Sequence, residues 1–204
     1  FTNVPQGDYV LANIGPDEPF GGGEPPDDFD LADPDTTGQI MRFVVGPALT
    51  VDASTPPQFL VLPPMTPLPP AIVTRRLALI EKMSEFYADA PTEALLGTVI
   101  GDPTTGPATF AAHEWGAEIT ENPAVGATEV WEMYNTTGDA HPMHIHETAF
   151  EIVDRQNIII DEDAQQVQVD SASAPTPPEP WETGVKDTVI AYPGQVTRIR
   201  AQFN

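Results

Sequence analysis

Proline is the residue type that most constrains the fold of this chain. The sequence contains 24 prolines among 204 residues, and each proline removes a backbone donor and disrupts the interior of a helix. Long helices are therefore disfavoured. The apolar residues agree, because 16 valines and 13 isoleucines outnumber 10 leucines, and β-branched side chains favour strands. The sequence predicts an all-β protein.

Short apolar runs recur along the chain and are separated by turn sequences such as GDPTTG, ENPAVG, NTTGD and YPG. Only residues 92–96 favour a helical turn instead. Seven or eight short strands with proline-rich connections predict a Greek-key β-sandwich or barrel. The runs that predict strands are residues 8–14, 39–45, 75–82, 109–115, 129–135, 144–154, 187–192 and 197–203.

The charge of the chain excludes two classes of partner. With 31 acidic and 8 basic residues the formal net charge is −23, which opposes binding to nucleic acids and to anionic membrane surfaces. No apolar run reaches the roughly 18 residues of a membrane-spanning helix. Residues 16–35 contain eight acids and no base, and their glycine and proline content predicts a solvated loop, with cation binding or substrate steering as the alternative.

The domain organisation is indicated by a second proline-rich stretch. Residues 56–70 include seven prolines, a composition that favours extended backbone and is typical of a linker. The residues before it hold too few strands for a complete sandwich, which needs about seven. We therefore expect residues 1–55 to be the C-terminal part of one β domain, 56–74 to be a linker, and 75–204 to be most of the next domain.

Three of the four histidines lie within six residues, in the motif HPMHIH. Imidazole is a preferred ligand of copper and zinc. On a strand, His144 and His146 would face the same side about 6.6 Å apart and could serve one metal or two adjacent metals. His141 has the opposite parity and precedes Pro142, so we expect it to leave the regular ladder and to serve a separate metal site. The alternative is a set of histidines hydrogen-bonded along a polar strand edge.

The fourth histidine, His113, stands alone between an alanine and a glutamate. A solitary histidine is more often a strand-edge or core side chain than a metal ligand. It is therefore left out of the predicted site.

The context of the motif resembles a known family. The run GATEVWEMYNTTGDAHPMHIHETAFEIVDRQ is similar to the third cupredoxin domain of the multicopper oxidases, notably the bacterial laccase and bilirubin-oxidase branch, and so is APTPPEPWETGVKDTVIAYPGQVTRIRAQF. VLANIGPDEPF and QIMRFVV resemble the closing strands of the second cupredoxin domain. Together these segments extend over nearly the whole chain and imply a cupredoxin-like Greek-key sandwich.

The resemblance implies a role for each histidine of the motif. His141 would ligate the type 1 copper, His144 the type 2 copper, and His146 one copper of the type 3 pair. In that family a reducing substrate (phenolic, pigment or metal ion) gives electrons to the type 1 copper, and dioxygen is reduced to water at the trinuclear cluster. The resemblance also implies an extracellular, periplasmic or cell-surface location.

The sequence departs from the family pattern in its ligand inventory. The family's cysteine ligand and its remaining histidines come from a segment beyond a strand like the one ending at Phe203 and from a first domain, whereas this chain has no cysteine and only four histidines. We therefore expect a fragment that supplies each copper site only in part and is inactive alone. Its expected partners are the remaining cupredoxin segments of the same protein, dioxygen and a reducing substrate.

Two other functions are compatible with the motif. Gly138, His144, His146 and Glu151 are spaced as in the first cupin motif, which holds a single Mn, Fe or Ni ion, although the later histidine of a cupin is missing. The other alternative is a non-catalytic copper-binding cupredoxin module.

Overall fold

The structure is a computed structural model that describes residues 3–88 and 90–204. Internal contacts divide the chain into two units, with the boundary between Thr66 and Pro67. This boundary lies within the proline-rich stretch of residues 56–70.

The first unit contains one antiparallel hairpin, in which strand β1 (Gly7–Ala12) pairs with strand β2 (Gln39–Val45). All six side chains of β1 and five of the seven in β2 are exposed, so this hairpin has no core of its own. The acidic segment between the strands forms turns, as predicted. Within it the Asp17 carboxylate accepts hydrogen bonds from the Thr37 hydroxyl and the Asp33 N–H, and these two bonds lower the pKa of Asp17.

The helices in the described part of the chain are two short 3-10 turns, Pro57–Phe59 and Pro180–Glu182. Neither is long and apolar enough to cross a membrane. Most of the proline-rich stretch around the first turn has no regular structure and is exposed.

Nearly all of the regular secondary structure in the described part of the second unit consists of strands. In chain order they are β3 (Val73–Met83), β4 (Pro91–Ile100), β5 (Ala108–His113), β6 (Thr128–Asn135), β7 (His141–His144), β8 (Phe150–Asp161), β9 (Gln166–Val169), β10 (Val185–Lys186), β11 (Thr188–Ala191) and β12 (Gln195–Gln202).

Eight of the ten strands described for the second unit form one sheet, in the order β10-β8-β12-β6-β3-β4-β5-β9. Strand β9 also pairs with β8, so the sheet closes on itself. The β3–β6 pair is parallel and the other pairs are antiparallel. Strands β7 and β11 form a separate two-stranded ribbon.

The sheet of the second unit buries apolar side chains on both faces. Neighbouring residues of a strand point to opposite faces, and accordingly Ala78 and Tyr134 belong to one core whereas Leu77 and Met133 belong to another. The second core also contains Val189 of the ribbon, and Met143 packs against it. The ribbon is therefore fixed to the sheet by apolar burial, which contributes about 25 cal/mol for each Å² removed from water.

A row of alternating charges crosses four strands of the sheet on the face of the first core. The strand register places Arg76 beside Glu132, Glu132 beside Arg198, and Arg198 beside Asp154. We call these four residues the charged row. Glu132 lies 3.0 Å from a guanidinium nitrogen on either side, and Arg198 lies 2.6 Å from Asp154. The Tyr134 hydroxyl donates to Glu132 at 3.0 Å, and burial together with this carboxylate raises the pKa of Tyr134 far above its ordinary value.

The prediction of an all-β fold is confirmed. The helical turn predicted at residues 92–96 is wrong, because these residues lie inside β4, where cross-strand pairing and burial override local preference. The single strand predicted over residues 144–154 is also wrong, since a turn separates β7 from β8. Strands β9 and β10 were not predicted.

Candidate metal centre

The histidine motif begins on the ribbon of β7 and β11. His141 lies opposite Ala191, and His144 lies opposite Thr188. The expectation that His141 leaves the regular ladder is therefore wrong. Pro142 is accommodated because, among the described strands, β7 pairs on one side only, and an edge strand can direct a proline away from its partner.

His144 is exposed and has one ring nitrogen engaged. Its Nδ1 lies 2.7 Å from the backbone oxygen of Asp187 and 3.2 Å from the Thr188 hydroxyl oxygen. A carbonyl oxygen only accepts, so Nδ1 carries the hydrogen, and in the neutral ring Nε2 keeps its lone pair. This arrangement, in which one nitrogen donates to a backbone carbonyl and the other remains available, is typical of metal-binding histidines.

His146 lies beyond the end of β7, in the turn that leads to β8. The next residue, Glu147, has a φ of 61°, and this left-handed conformation turns the chain. The His146 ring nevertheless lies beside that of His144, with 5.1 Å between the ring centroids and 58° between the planes. The two imidazoles thus form a close, exposed pair although only one of them lies on the strand.

His141 borders a different cavity from the one beside His144, although Leu96 and Met143 line both cavities. Its ring lines a cavity of about 230 Å³ together with Leu79 and Leu95, and its Nε2 lies 2.7 Å from the Thr137 hydroxyl oxygen. His144 lines another cavity, of about 190 Å³, with mainly apolar neighbours. The structure therefore brings two of the three predicted ligands together and separates the third.

His113, which was left out of the predicted site, lines the same cavity as His144. Its Nε2 lies 2.9 Å from the Thr98 hydroxyl oxygen. Because β5 is far from the motif in sequence, no local pattern indicates this proximity. The hydrogen bond to Thr98 accounts for one ring nitrogen of His113.

The cupin arrangement is not present. It requires Glu151 to converge with His144 and His146, but the Glu151 carboxylate forms an ion pair with Arg200 at 2.5 Å. Among residues 3–88 and 90–204, no group of three or more histidine, cysteine, aspartate or glutamate side chains is placed to hold a metal ion.

The imidazole nitrogens of the His144–His146 pair are suitable ligands for copper, but two histidines are too few for a complete site. Imidazole nitrogen is a good ligand for copper, and His144 presents a nitrogen with a free lone pair on an exposed ring. Among the described residues, no third histidine, cysteine, aspartate or glutamate side chain joins the His144–His146 pair in a metal-binding group.

Comparison with known proteins identifies the family. A family model described as multicopper oxidase matches residues 90–204, which is more than half of the chain. The chain belongs to the multicopper oxidase family. Multicopper oxidase LPR1 of Arabidopsis thaliana is 29% identical over 218 aligned positions, and a laccase of Bacillus subtilis is 38% identical over 89. A solved laccase-like multicopper oxidase of Ochrobactrum sp. aligns over 83% of this chain and 33% of its own, at 18% identity and a TM-score of 0.47.

The chain spans a minor part of its multicopper oxidase relatives. The match to LPR1 extends over 100% of this chain but 33% of the relative, and the match to the Bacillus laccase extends over 44% of this chain and 17% of the relative.

Proposed function

We propose that this chain is the part of a multicopper oxidase that supplies histidine ligands to two separate copper centres. The observation that carries the proposal is the separation of His141 from the His144–His146 pair. His141 borders one cavity, and His144 borders another. A single mononuclear metal site would need the three imidazoles to converge on one point. Two metal centres would instead need His141 to lie apart from the His144–His146 pair.

We assign a role to each histidine from the resemblance of the motif to the family pattern, and this division supports the assignment. His141 holds the type 1 copper, which accepts single electrons from a reducing substrate. His144 holds the type 2 copper and His146 one copper of the type 3 pair, where dioxygen undergoes four-electron reduction to water. The Nδ1–H of His144 donates to the Asp187 carbonyl oxygen, which fixes the ring so that its Nε2 is presented to the metal.

The proposed domain assignment places residues 1–55 in a second cupredoxin domain, 56–74 in a linker and 75–204 in a third cupredoxin domain. The exposed strands of the first unit support an additional layer from elsewhere in the protein, because exposed hairpins of this kind are marginally stable alone. The partners are the other cupredoxin segments of the same protein.

The proposed reducing substrate is a phenol, a pigment or a metal ion. A net charge of −23 favours cationic or metal-ion substrates by electrostatic steering. The proposed location is extracellular, periplasmic or at the cell surface.

Copper reconstitution of two samples tests the proposal, one containing the 204-residue chain and one the full-length protein. We expect the chain alone to remain without an intense blue band and without oxygen uptake, because a blue site needs a cysteine thiolate and this chain has none. The full-length protein should show both. A copper-loaded full-length protein with neither property, or an intense blue band from the chain alone, would contradict the assignment.

A further inference from the structure

A fully buried asparagine organises the loop that precedes His141. The Asn135 amide nitrogen donates to the backbone oxygens of Asp139 at 2.7 Å and Ala191 at 3.0 Å. Its amide oxygen accepts from the Thr137 N–H at 3.0 Å and from the Thr137 hydroxyl at 2.8 Å. Both amide hydrogens and two acceptor positions are therefore used, and Asn135 has no exposed surface. The loop and the ribbon residue opposite His141 are thereby held by one side chain.

The donors and acceptors around the Thr137 hydroxyl favour one direction for its hydrogen bond with His141. A threonine hydroxyl has a single hydrogen. Its neighbours include the Asn135 amide oxygen at 2.8 Å and the Asp139 backbone oxygen at 3.1 Å, and both of these atoms only accept. Directing the hydroxyl hydrogen to these oxygens leaves the hydroxyl oxygen to accept from the Asp139 N–H at 3.3 Å and from the His141 Nε2–H at 2.7 Å.

We propose that Asn135 and Thr137 are positioning residues that hold His141 in the Nε2–H tautomer and orient its Nδ1 lone pair for metal binding. The inference rests on the proposed function for the identity of the metal, but the tautomer itself belongs to the metal-free chain. His144 is held in the opposite tautomer, by a bond from its Nδ1–H to a backbone carbonyl oxygen. The chain thus presents Nδ1 at one centre and Nε2 at the other, each selected by a hydrogen bond to the remaining ring nitrogen.

We call the hydrogen bonds that connect Asn135, Thr137 and His141 the relay. Nitrogen-15 NMR of the metal-free 204-residue chain tests this relay. At about pH 8, where an ordinary imidazole is neutral, we expect His141 to show a protonated Nε2, an unprotonated Nδ1 and a slowly exchanging Nε2–H signal. Thr137→Val removes the acceptor at similar size, so the Nε2–H should exchange rapidly and the two ring nitrogens should shift toward an average of both tautomers. Thr137→Ser restores a hydroxyl and should restore the wild-type pattern.

His113 provides an internal control for the same spectra. Its Nε2 also lies beside a threonine hydroxyl, that of Thr98, so Thr98→Val should change the His113 signals and leave those of His141 unchanged. Unchanged His113 signals in Thr137→Val also show that the second unit is folded. An Nδ1–H tautomer for His141 in the wild-type chain, or identical His141 signals in wild type and Thr137→Val, would overturn the relay. If Thr137→Val fails to fold, the wild-type tautomer and the Thr137→Ser spectrum decide the matter.

Addition of Cu²⁺ to the wild-type chain separates this inference from the proposed function. Paramagnetic broadening of the His144 and His146 signals without the expected His141 tautomer would overturn the relay and support the metal assignment. The expected tautomer without broadening of any histidine in the motif would support the relay and contradict the metal assignment.

Discussion

The charged row and the histidine ribbon lie in the same unit, and they use polar side chains in opposite ways. In the charged row every member has at least one oppositely charged neighbour within 3.0 Å, and the side-chain exposure of Glu132 is only 8%. On the ribbon, His144 is exposed and uses one ring nitrogen for a hydrogen bond while the other keeps its lone pair. The difference distinguishes polar groups that complete the fold from polar groups that are available for a ligand.

Removing the centre of the charged row should produce the largest loss of stability. Glu132→Ala leaves the guanidinium groups of Arg76 and Arg198 without their shared carboxylate, and breaking a buried pair in this way costs about 3–5 kcal/mol. Urea unfolding should show a lower midpoint. The matched control is Glu93→Ala, which removes an exposed partner of Lys82 and should leave the midpoint nearly unchanged. Equal midpoints for the two variants would contradict the structural role of the charged row.

Weakening the attachment of the ribbon to β8 should cause a smaller loss of stability. The Arg155 guanidinium donates to Glu182 at 2.6 and 2.7 Å and to the Ile190 backbone oxygen at 3.0 and 3.2 Å. Arg155→Lys keeps the charge but loses this planar fork, so we expect a loss of about 1.5–3 kcal/mol and faster amide hydrogen exchange in β11. Arg42→Lys, at an exposed ion pair with Asp8, is the control and should alter neither quantity.

Acid should weaken the second unit through Glu129. Its bidentate hydrogen bond with Arg75 is the main reason why the pKa of this carboxylate lies below the ordinary 4.5, and the Trp131 N–H adds to the effect. A carboxylate with a lowered pKa contributes stability that is present above its unfolded pKa and lost as the pH falls through its folded pKa. The free energy of unfolding should therefore decrease as the pH is lowered below about 4.5, and Glu129→Gln should flatten that decrease. A parallel slope in the variant would show that other groups cause it.

Substitution of His146 should have the smallest effect on stability and the largest effect on copper binding. His146 is exposed, so His146→Gln should change the free energy of unfolding by less than about 0.5 kcal/mol. The same substitution should markedly weaken Cu²⁺ binding by the 204-residue chain in calorimetric titration. Glu132→Gln should give the reverse result, with stability lost and copper affinity retained. A His146→Gln chain that binds copper like the wild type would remove this residue from the metal centre.

The sequence predicts the fold class and most strands because they depend on local patterns. The strands are indicated by β-branched residues, by the alternation of apolar and polar residues, and by prolines in the connections. Strand β2 has the predicted bounds of Gln39–Val45. The error at residues 92–96 arises because a short segment with mixed preference follows its neighbours, here β3 and β5. Strands β9 and β10 are four and two residues long, which is too short to give a periodic signal.

The sequence predicts which residues form the candidate site, but it does not predict their hydrogen bonds. The density of histidines identifies His141, His144 and His146, and parity predicts that the first differs from the other two. The hydrogen bonds that select the ring nitrogens are not predictable in this way, because they involve a backbone oxygen 43 residues away for His144. Asn135 carries no motif, and its importance becomes visible only when its contact with Ala191, 56 residues away, is known.

The most direct test of the central claim is visible absorption of the copper-loaded full-length protein in single histidine variants, recorded with oxygen uptake. His141→Ala should lose the blue band and the uptake driven by a reducing substrate. His146→Ala should keep the blue band and lose the uptake, while His113→Ala should keep both. Loss of the blue band in His146→Ala, or its retention in His141→Ala, would contradict the division of these histidines between two copper centres.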